Sequence, residues 1–575
     1  MVRTCPSGLF AKLSAISLFL LTLTLLATQA LAAPQKRWVY LQTNLLPDGT
    51  FSNSLALLGR VAAEGYTGVV LADSKFMRWD TVPSSYLDHC HAFRLACSRL
   101  KLELVVGVMP IGYSNSLLSR NPNLAEGLPV QNAPFIVKNG SLEPLGDIDV
   151  SNPGFESFRK HTPSGWYVDS PGEITFQDKQ VFMEGKSSLR MQDVARFEPD
   201  HRHARVRQTL TLDPFRYYHV SVAIKTKDWK AGDTRIVIID QKKRSLNFHT
   251  PTVEANQDWK CVHIVFNTLD SSTVTLYIGT WAGESGTLWL DDLQITPAGF
   301  VNILRRAGTP IMLTSEDGTT VYSERLDVNP IIDPLLGNDP YPGEYTVWHK
   351  PPTITLRPDS RLKEGQRILA SYYHPAVIYS HQVSCCMSEP ELYDILAWQL
   401  DNVREALAPD GYMMMHDEIR AQGWDSTCVA RKLTCSEILA SCVRRCVALI
   451  HKADPGKPLY VWSDMFDPTH NARDREAYYL VKGNGPWHGA WQALPSSVTI
   501  INWQMDPASR KESLAHFASR GHHQILAGYY DGNPISITGW LRDASKVKGI
   551  DGVMYTTWQG NFNHTDAFIK ATDTP

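Results

Sequence analysis

The chemistry-bearing residues of this chain concentrate in Tyr412-Met413-Met414-Met415-His416-Asp417-Glu418-Ile419-Arg420, where an apolar run turns directly into a dense charged group. A short apolar run reads as a buried strand, which places the charged group at its C-terminal exit. Two adjacent carboxylates there are costly unless their surroundings separate their roles. One can stay ionised while the other is held protonated to donate a proton. Glycosidic cleavage needs such a protonated acid beside the leaving oxygen. The plainer alternative is a charged loop, with Asp417 capping the next helix and Glu418 paired to Arg420.

Other apolar runs end in residues suited to a sugar. They lead into Tyr372-Tyr373-His374, Trp462-Ser463-Asp464, Asn502-Trp503, Tyr529-Tyr530-Asp531 and Thr557-Trp558. Aromatic faces with hydrogen-bonding neighbours suit a polyhydroxylated ring. A single Trp is as readily core filler, so it is the recurrence at strand exits that points to a substrate cleft. His416, Arg420, Tyr372, Tyr373, His374, Trp462, Asp464, Trp503, Tyr529, Asp531 and Trp558 are the expected contacts.

The elements that must position these residues follow an alternating rhythm. Strands at 38–43, 68–72 and 102–108 are separated by helices at 52–64 and 83–100. Strands return at 367–373, 411–416, 459–463, 498–503, 524–530 and 552–557, with helices at 389–407 and 436–452. Val- and Leu-rich strands without alternation indicate burial on both faces, as in a parallel sheet covered by helices. The expected class is α/β, a (β/α)8 TIM-like barrel whose strand exits carry the site. Nine candidate strands compete for eight positions, so one is accessory. An open doubly wound sheet is the rival, but no Gly-rich phosphate turn follows the first strand.

Between 148 and 297 the rhythm stops. Segments such as Val206–Leu212, Tyr218–Ile224 and Val274–Ile278 alternate inside and outside, the pattern of an antiparallel sandwich. Asn152-Pro153-Gly154-Phe155-Glu156, Trp166, Gly185-Lys186-Ser187-Ser188-Leu189, Gln208-Thr209-Leu210, Trp259, Phe266 and Leu288-Trp289-Leu290-Asp291-Asp292-Leu293 form an ordered series. That series resembles carbohydrate-binding modules of the family 4/9 type. The resemblance implies a jelly roll with a structural calcium, whose carboxylates match Glu156 and Asp292. Trp229 and Trp281 are candidate sugar platforms, and a structural spacer is the alternative. The expected division is a signal peptide at 1–32, barrel at 33–147 and 367–575, the module at 148–297 and a connecting segment at 298–366.

The barrel resembles the family 20 type of β-N-acetylhexosaminidase through Asp417-Glu418, Trp462 with Asp464, Trp503 and Trp558. The resemblance implies Glu418 as acid/base and Asp417 orienting the 2-acetamido group that serves as nucleophile. Two departures are His416 and Met415, which stand where that family commonly has glycines. The rival enzyme is a two-carboxylate glycosidase of 2-hydroxy sugars, with Asp464 or Asp531 as the second group, because Glu437, Glu476 and Glu512 lie at no strand exit. A non-catalytic polysaccharide-binding protein on the same scaffold is the third possibility.

The remaining features bound the setting. Arg3 and Lys12, the apolar stretch 13–27 and Ala30-Leu31-Ala32 read as a secretory signal, so a secreted or periplasmic protein without a stable membrane span is expected. Asn139 and Asn563 open glycosylation sequons. With 56 basic and 59 acidic residues, the net charge of −3 carries no polybasic signature and disfavours nucleic acid as partner. An oligo- or polysaccharide is the expected partner, and the oligomeric state stays open. No catalytic cofactor is expected, since the histidines are scattered and no HExxH occurs for a metal; Ser-His-Asp catalysis lacks its GxSxG signature as well. Ten cysteines include none in a CxxC pair, so structural zinc is not expected. One disulfide among Cys385, Cys386, Cys428 and Cys435 is. Cys442 and Cys446, one helical turn apart, read as small buried residues.

Overall fold

Eight short parallel strands close into a barrel: β1 (Lys36–Thr43), β2 (Gly68–Asp73), β3 (Glu103–Val108), β4 (Gly411–Met414), β5 (Leu459–Trp462), β6 (Val498–Asn502), β7 (Gln524–Tyr529) and β8 (Ile550–Thr556). β1 pairs with both β2 and β8, which shuts the ring. This computed structural model describes residues 35–573 apart from 147, 170–172, 197–202 and 231. The expected signal segment therefore lies outside the described residues.

Alternate strand residues fill the barrel interior, with Trp38, Tyr40, Val70, Val105, Met413, Tyr460, Trp462, Ile501, Ile525 and Met554 packed together. Their neighbours, such as Val39, Val69, Leu71, Val106 and Val461, join the larger core under the helices. Both faces are thus buried, which is why the strands read as continuous apolar runs. Gly68 makes room for the Trp38 indole: a Cβ there would lie 2.6 Å from Nε1.

Helices α1 (Asp48–Ala63), α2 (Ser84–Leu100), α3 (Pro390–Leu407), α4 (Cys435–Ala453), α5 (Arg510–Ser519), α6 (Ile537–Ala544) and α7 (Thr565–Asp573) accompany the strands. α3 begins on a proline, which needs no amide partner there. α4 opens with a capping box between Thr434 and Glu437 and buries Ile438, Leu439, Cys442, Val443, Cys446, Val447 and Ile450. Between β5 and β6 there are 3-10 turns and the short strand Leu480–Val481 but no α-helix, so the alternation of strand and α-helix is incomplete there.

A nested insertion separates β3 from β4. Its outer layer is a six-stranded sheet that includes Leu128–Lys138, Ser141–Pro144, Met312–Ser315 and Arg367–His374. The accessory strand is therefore 367–374, which pairs antiparallel with 128–136 and not with the barrel. Parts of the expected barrel half and connecting segment belong to this sheet. Inside it sits a sandwich of five- and four-stranded antiparallel sheets. Strand Ala204–Thr211 alternates buried and less buried positions along its length, as the sequence pattern required. The sandwich core continues into barrel-side residues Ala376, Ile378, Ala421, Trp424 and Leu480, so the module is docked rather than tethered. Among the described residues, no helix is long and apolar enough to cross a membrane.

Candidate functional site

The exits of β4 and β5 are adjacent because their strands pair, Met414 opposite Val461. The chain leaving β3 runs beside the one leaving β4, with Ile111 donating its amide to the Met415 carbonyl at 2.9 Å. Gly112 permits this approach, since a Cβ would fall 1.5 Å from the Asp417 carbonyl oxygen. Glu418 adopts a left-handed backbone with φ of 47°, a strained state for a non-glycine residue that turns its side chain across the exit.

Three carboxylates meet here. Glu418 is the open one, its side chain 25% exposed and bridged to the Arg420 guanidinium at 2.6 Å. The Tyr113 hydroxyl donates to its other oxygen at 2.6 Å. Arg420 is itself fixed by Gln382 and lies over the rings of Tyr113, Tyr379 and Tyr479. Phe248 of the sandwich packs on both Tyr379 and Tyr479, so the module helps wall this cage. The pairing of Glu418 with Arg420 raised by the sequence is thus present, at a strand exit beside further acids.

Behind Glu418, Asp464 accepts the Glu418 amide at 2.8 Å, the Asn471 side-chain amide at 2.9 Å and the Trp503 indole N–H at 3.1 Å. Burial raises its carboxyl to about 7 against those donors. Asp417, only 8% exposed, is pushed well above the usual carboxylate range by burial, then by the charges of Asp464 and Glu418. Neighbouring acids in a poorly solvated pocket cannot all ionise, so this pair retains a proton near neutrality.

Aromatic rings continue the wall. His470 packs on Trp503, Trp503 on Tyr530, Tyr530 on Trp558, and Trp558 on Trp462 and Tyr40. A pocket of about 260 Å³ lined by His470, Asn471, Arg473, Glu476, Ala477 and Tyr478 adjoins Asp464 through Asn471. Burial lowers the His470 ring's proton affinity, leaving it neutral at pH 7. Its Nδ1, the Tyr478 hydroxyl and the Tyr530 hydroxyl are buried without a partner.

The structure therefore brings together Asp417, Glu418, Arg420, Asp464, Trp462, Trp503 and Trp558. Other expected contacts are corrected. His416 points outward into α4, where its Nε2 lies 3.7 Å from Cys442 Sγ. Tyr372, Tyr373 and His374 sit on the accessory strand, which belongs to the insertion's sheet and not to the barrel. Tyr372 donates to the Gly299 carbonyl, and His374 stacks on Tyr217 at 3.6 Å. Tyr529 faces the helical layer and stacks on Tyr555. Asp531 accepts the Trp558 and Gln559 amides at 2.8 and 3.2 Å and so braces the loop that presents Trp558. Trp229 is buried, its indole donating to Thr234, and offers no platform. Tyr113, Gln382, Tyr379, Tyr479, Tyr478, His470 and Asn471 were not foreseen.

Several acidic side chains of the sandwich lie near one another. Glu156 accepts the Lys186 amide at 2.8 Å, and the fully buried Asp291 accepts the amides of Met183, Glu184 and Asp292. Glu184 is raised by its hydrogen bond to Asp292 and by the nearby charge of Asp291 and Glu156. The calcium that the resemblance implies would use Glu156 and Asp292, but among the described residues these acids do not converge as a metal-sized group, and both Asp291 oxygens already accept backbone amides.

The cysteines stand as thiols among the described residues, Cys386 and Cys428 being adjacent at 3.5 Å, so the expected bridge is not formed.

No protein-family model and no curated protein matches the chain. Solved structures resemble it weakly. A carbohydrate-binding module of type CBM4 is 16% identical over 26% of this chain and 99% of its own, with a TM-score of 0.19. A rhamnosidase from Novosphingobium sp. PP1Y is 12% identical over 91% of this chain and 55% of its own, with a TM-score of 0.29. A chitobiase from Flavobacterium johnsoniae is 17% identical over 34% of this chain and 30% of its own, with a TM-score of 0.24. At these scores the likenesses carry no weight for function, which must come from the site itself.

Proposed function

We propose that the protein is a glycoside hydrolase whose cleft is the mouth of the barrel. The observation that carries this reading is the cluster of Asp417, Glu418 and Asp464 on two paired strand exits, facing a wall of aromatic rings. Tyr478, His470 and Tyr530 supply buried polar atoms that sugar hydroxyls can satisfy.

Within that class, the charges at the β4 exit suggest one division of roles. Glu418, gripped by Arg420 and Tyr113, serves as the carboxylate that meets the anomeric centre. Asp417 keeps the proton that the leaving oxygen requires, backed by Asp464. This is a two-carboxylate mechanism with Asp417 as the donor and Glu418, rather than Asp464 or Asp531, as its partner.

A second reading keeps the roles that the family 20 resemblance implies, Glu418 as acid and Asp417 orienting an acetamido group. It is favoured by exposure, since Glu418 opens to the cleft and Asp417 is nearly closed off. A panel of matched aryl glycosides tests both. The two-carboxylate reading expects similar cleavage of 2-acetamido and 2-hydroxy sugars, and the substrate-assisted reading expects the acetamido sugar to react far faster. Inactivity of the pure enzyme on every member of a broad panel, oligosaccharides included, would defeat the hydrolase assignment.

A further inference from the structure

Four side chains that the proposed chemistry does not use converge just past the Glu418 loop. Glu126 precedes the first strand of the insertion, Cys386 precedes α3, and Asp425 and Cys428 belong to the one-turn helix Ser426–Ala430 and its cap. All four are buried, and their ligand atoms lie within 4.8 Å of one another. Cys386 and Cys428 are 3.5 Å apart at Sγ, and a Glu126 oxygen is 3.5 Å from Cys428 Sγ. We propose that Cys386, Cys428, Glu126 and Asp425 form a structural metal site for a borderline-soft divalent cation, of which zinc is the natural occupant.

The spacing suits the ion. Donors 3.5 to 4.8 Å apart at the corners of a tetrahedron lie about 2.1–2.9 Å from its centre, a span that includes zinc–thiolate bonds near 2.3 Å and zinc–carboxylate bonds of about 2.0–2.2 Å. Three of the four ligands also have a partner that orients them. Gln422 donates to Cys428 Sγ at 2.9 Å, and the Ser388 hydroxyl lies 3.2 Å from the same sulfur. Glu126 accepts the Trp424 amide at 2.8 Å, while Asp425 is held by the Cys428 amide and by Arg306. Such outer contacts are what fix ligands around a metal.

Charge points the same way. Glu126, Asp425 and Glu389 crowd one buried guanidinium, Arg306, which pairs with the last two. Glu126, buried beside Asp425, makes no salt bridge among the described residues. A dication would take up that charge, and the thiol protons and the Glu126 proton would pass to solvent on binding. A disulfide accounts for less. Its sulfurs need a separation of about 2.05 Å, and a neutral bridge gives Glu126 no cation. The ligands stand at 126, 386, 425 and 428, far from any CxxC spacing, so the site is assembled by the fold.

The test is the metal content of full-length protein purified without chelators. About one zinc per chain is expected, lost in Cys386→Ser and Cys428→Ser and kept in Cys90→Ser, a buried thiol on α2. If the two variants fail to fold, cobalt added to the metal-stripped native protein should give thiolate-to-cobalt charge-transfer bands. Metal-free protein that yields no such bands, or a peptide map with Cys386 bridged to Cys428, would overturn the proposal.

Discussion

Asp417→Asn should cripple hydrolysis of substrates with poor leaving groups while sparing activated aryl glycosides, and Glu418→Gln should fail on both. The reason is the division of labour at the β4 exit. Loss of a general acid costs about 10²–10⁴ in rate, but a dinitrophenolate departs without proton assistance, so the loss shrinks with leaving-group quality. A carboxylate that meets the anomeric centre is needed for every substrate. Neither change alters side-chain shape, and Glu418→Gln leaves Tyr113 a partner at the position it now fills at 2.6 Å. Initial rates on a series of aryl glycosides, plotted against leaving-group acidity for each variant, read the outcome directly. Reversed behaviour, with Glu418→Gln spared on activated substrates, would exchange the two roles and restore the acid assignment that the family 20 resemblance implied. Wild-type rates in both variants on a natural glycan would remove the pair from catalysis.

The barrel was legible because its strands bury both faces. Val69-Val70-Leu71 and Leu104-Val105-Val106 are apolar without a break, and each sends alternate residues to interior and exterior cores. The accessory strand misled for a related reason. Ile368, Ala370, Tyr372 and His374 are its buried positions, but Leu369 and Tyr373 on the other face are also apolar or aromatic, so its alternation was masked. Within the site, parity decided which residues could be foreseen. Tyr412, Met414 and His416 share the outward face of β4, so His416 meets Cys442 rather than a substrate. Tyr529 and Tyr530 likewise point to opposite sides, and only the second joins the cleft. Asp417, Glu418 and Asp464 were readable because they follow strands immediately. Tyr113, Gln382, Tyr379 and Tyr479 were not, because each comes from a loop far from Glu418 in sequence and gains its role only when Arg420 is caged. Tyr113, five residues beyond β3, is the one that attention to strand exits could have found. In the sandwich, the series of matching residues singles out Glu156 and Asp292, whereas the acid that the fold buries and fixes with three amide hydrogen bonds is their neighbour Asp291.

Asp464→Asn should change how stability responds to pH and should move the alkaline limb of activity. Asp464 titrates at about 7 in the folded protein, whereas an unfolded aspartate releases its proton near pH ~3.9. Between these values the folded state holds the extra proton, so stability declines as pH rises through that window and levels off above it. Asp417, also driven upward by burial and neighbouring charge, adds to the decline. The variant lacks the Asp464 contribution. Near pH 4 it should be the less stable protein, since an amide matches three donors poorly. As pH rises to 8 its melting temperature should gain on the wild type by several degrees. Activity should fall by about 10-fold or more, because Asp464 accepts from Glu418, Asn471 and Trp503 and its loss misplaces the reacting carboxylates. Removing its charge also relieves the pressure on Asp417, so the Asp417 proton should leave at lower pH and the alkaline limb of kcat/KM should shift downward. Melting curves from pH 4 to 8 and a pH–rate profile measure both effects. Parallel stability curves for the two proteins would show that Asp464 does not titrate in this window, and an unmoved alkaline limb would separate it from the proton on Asp417.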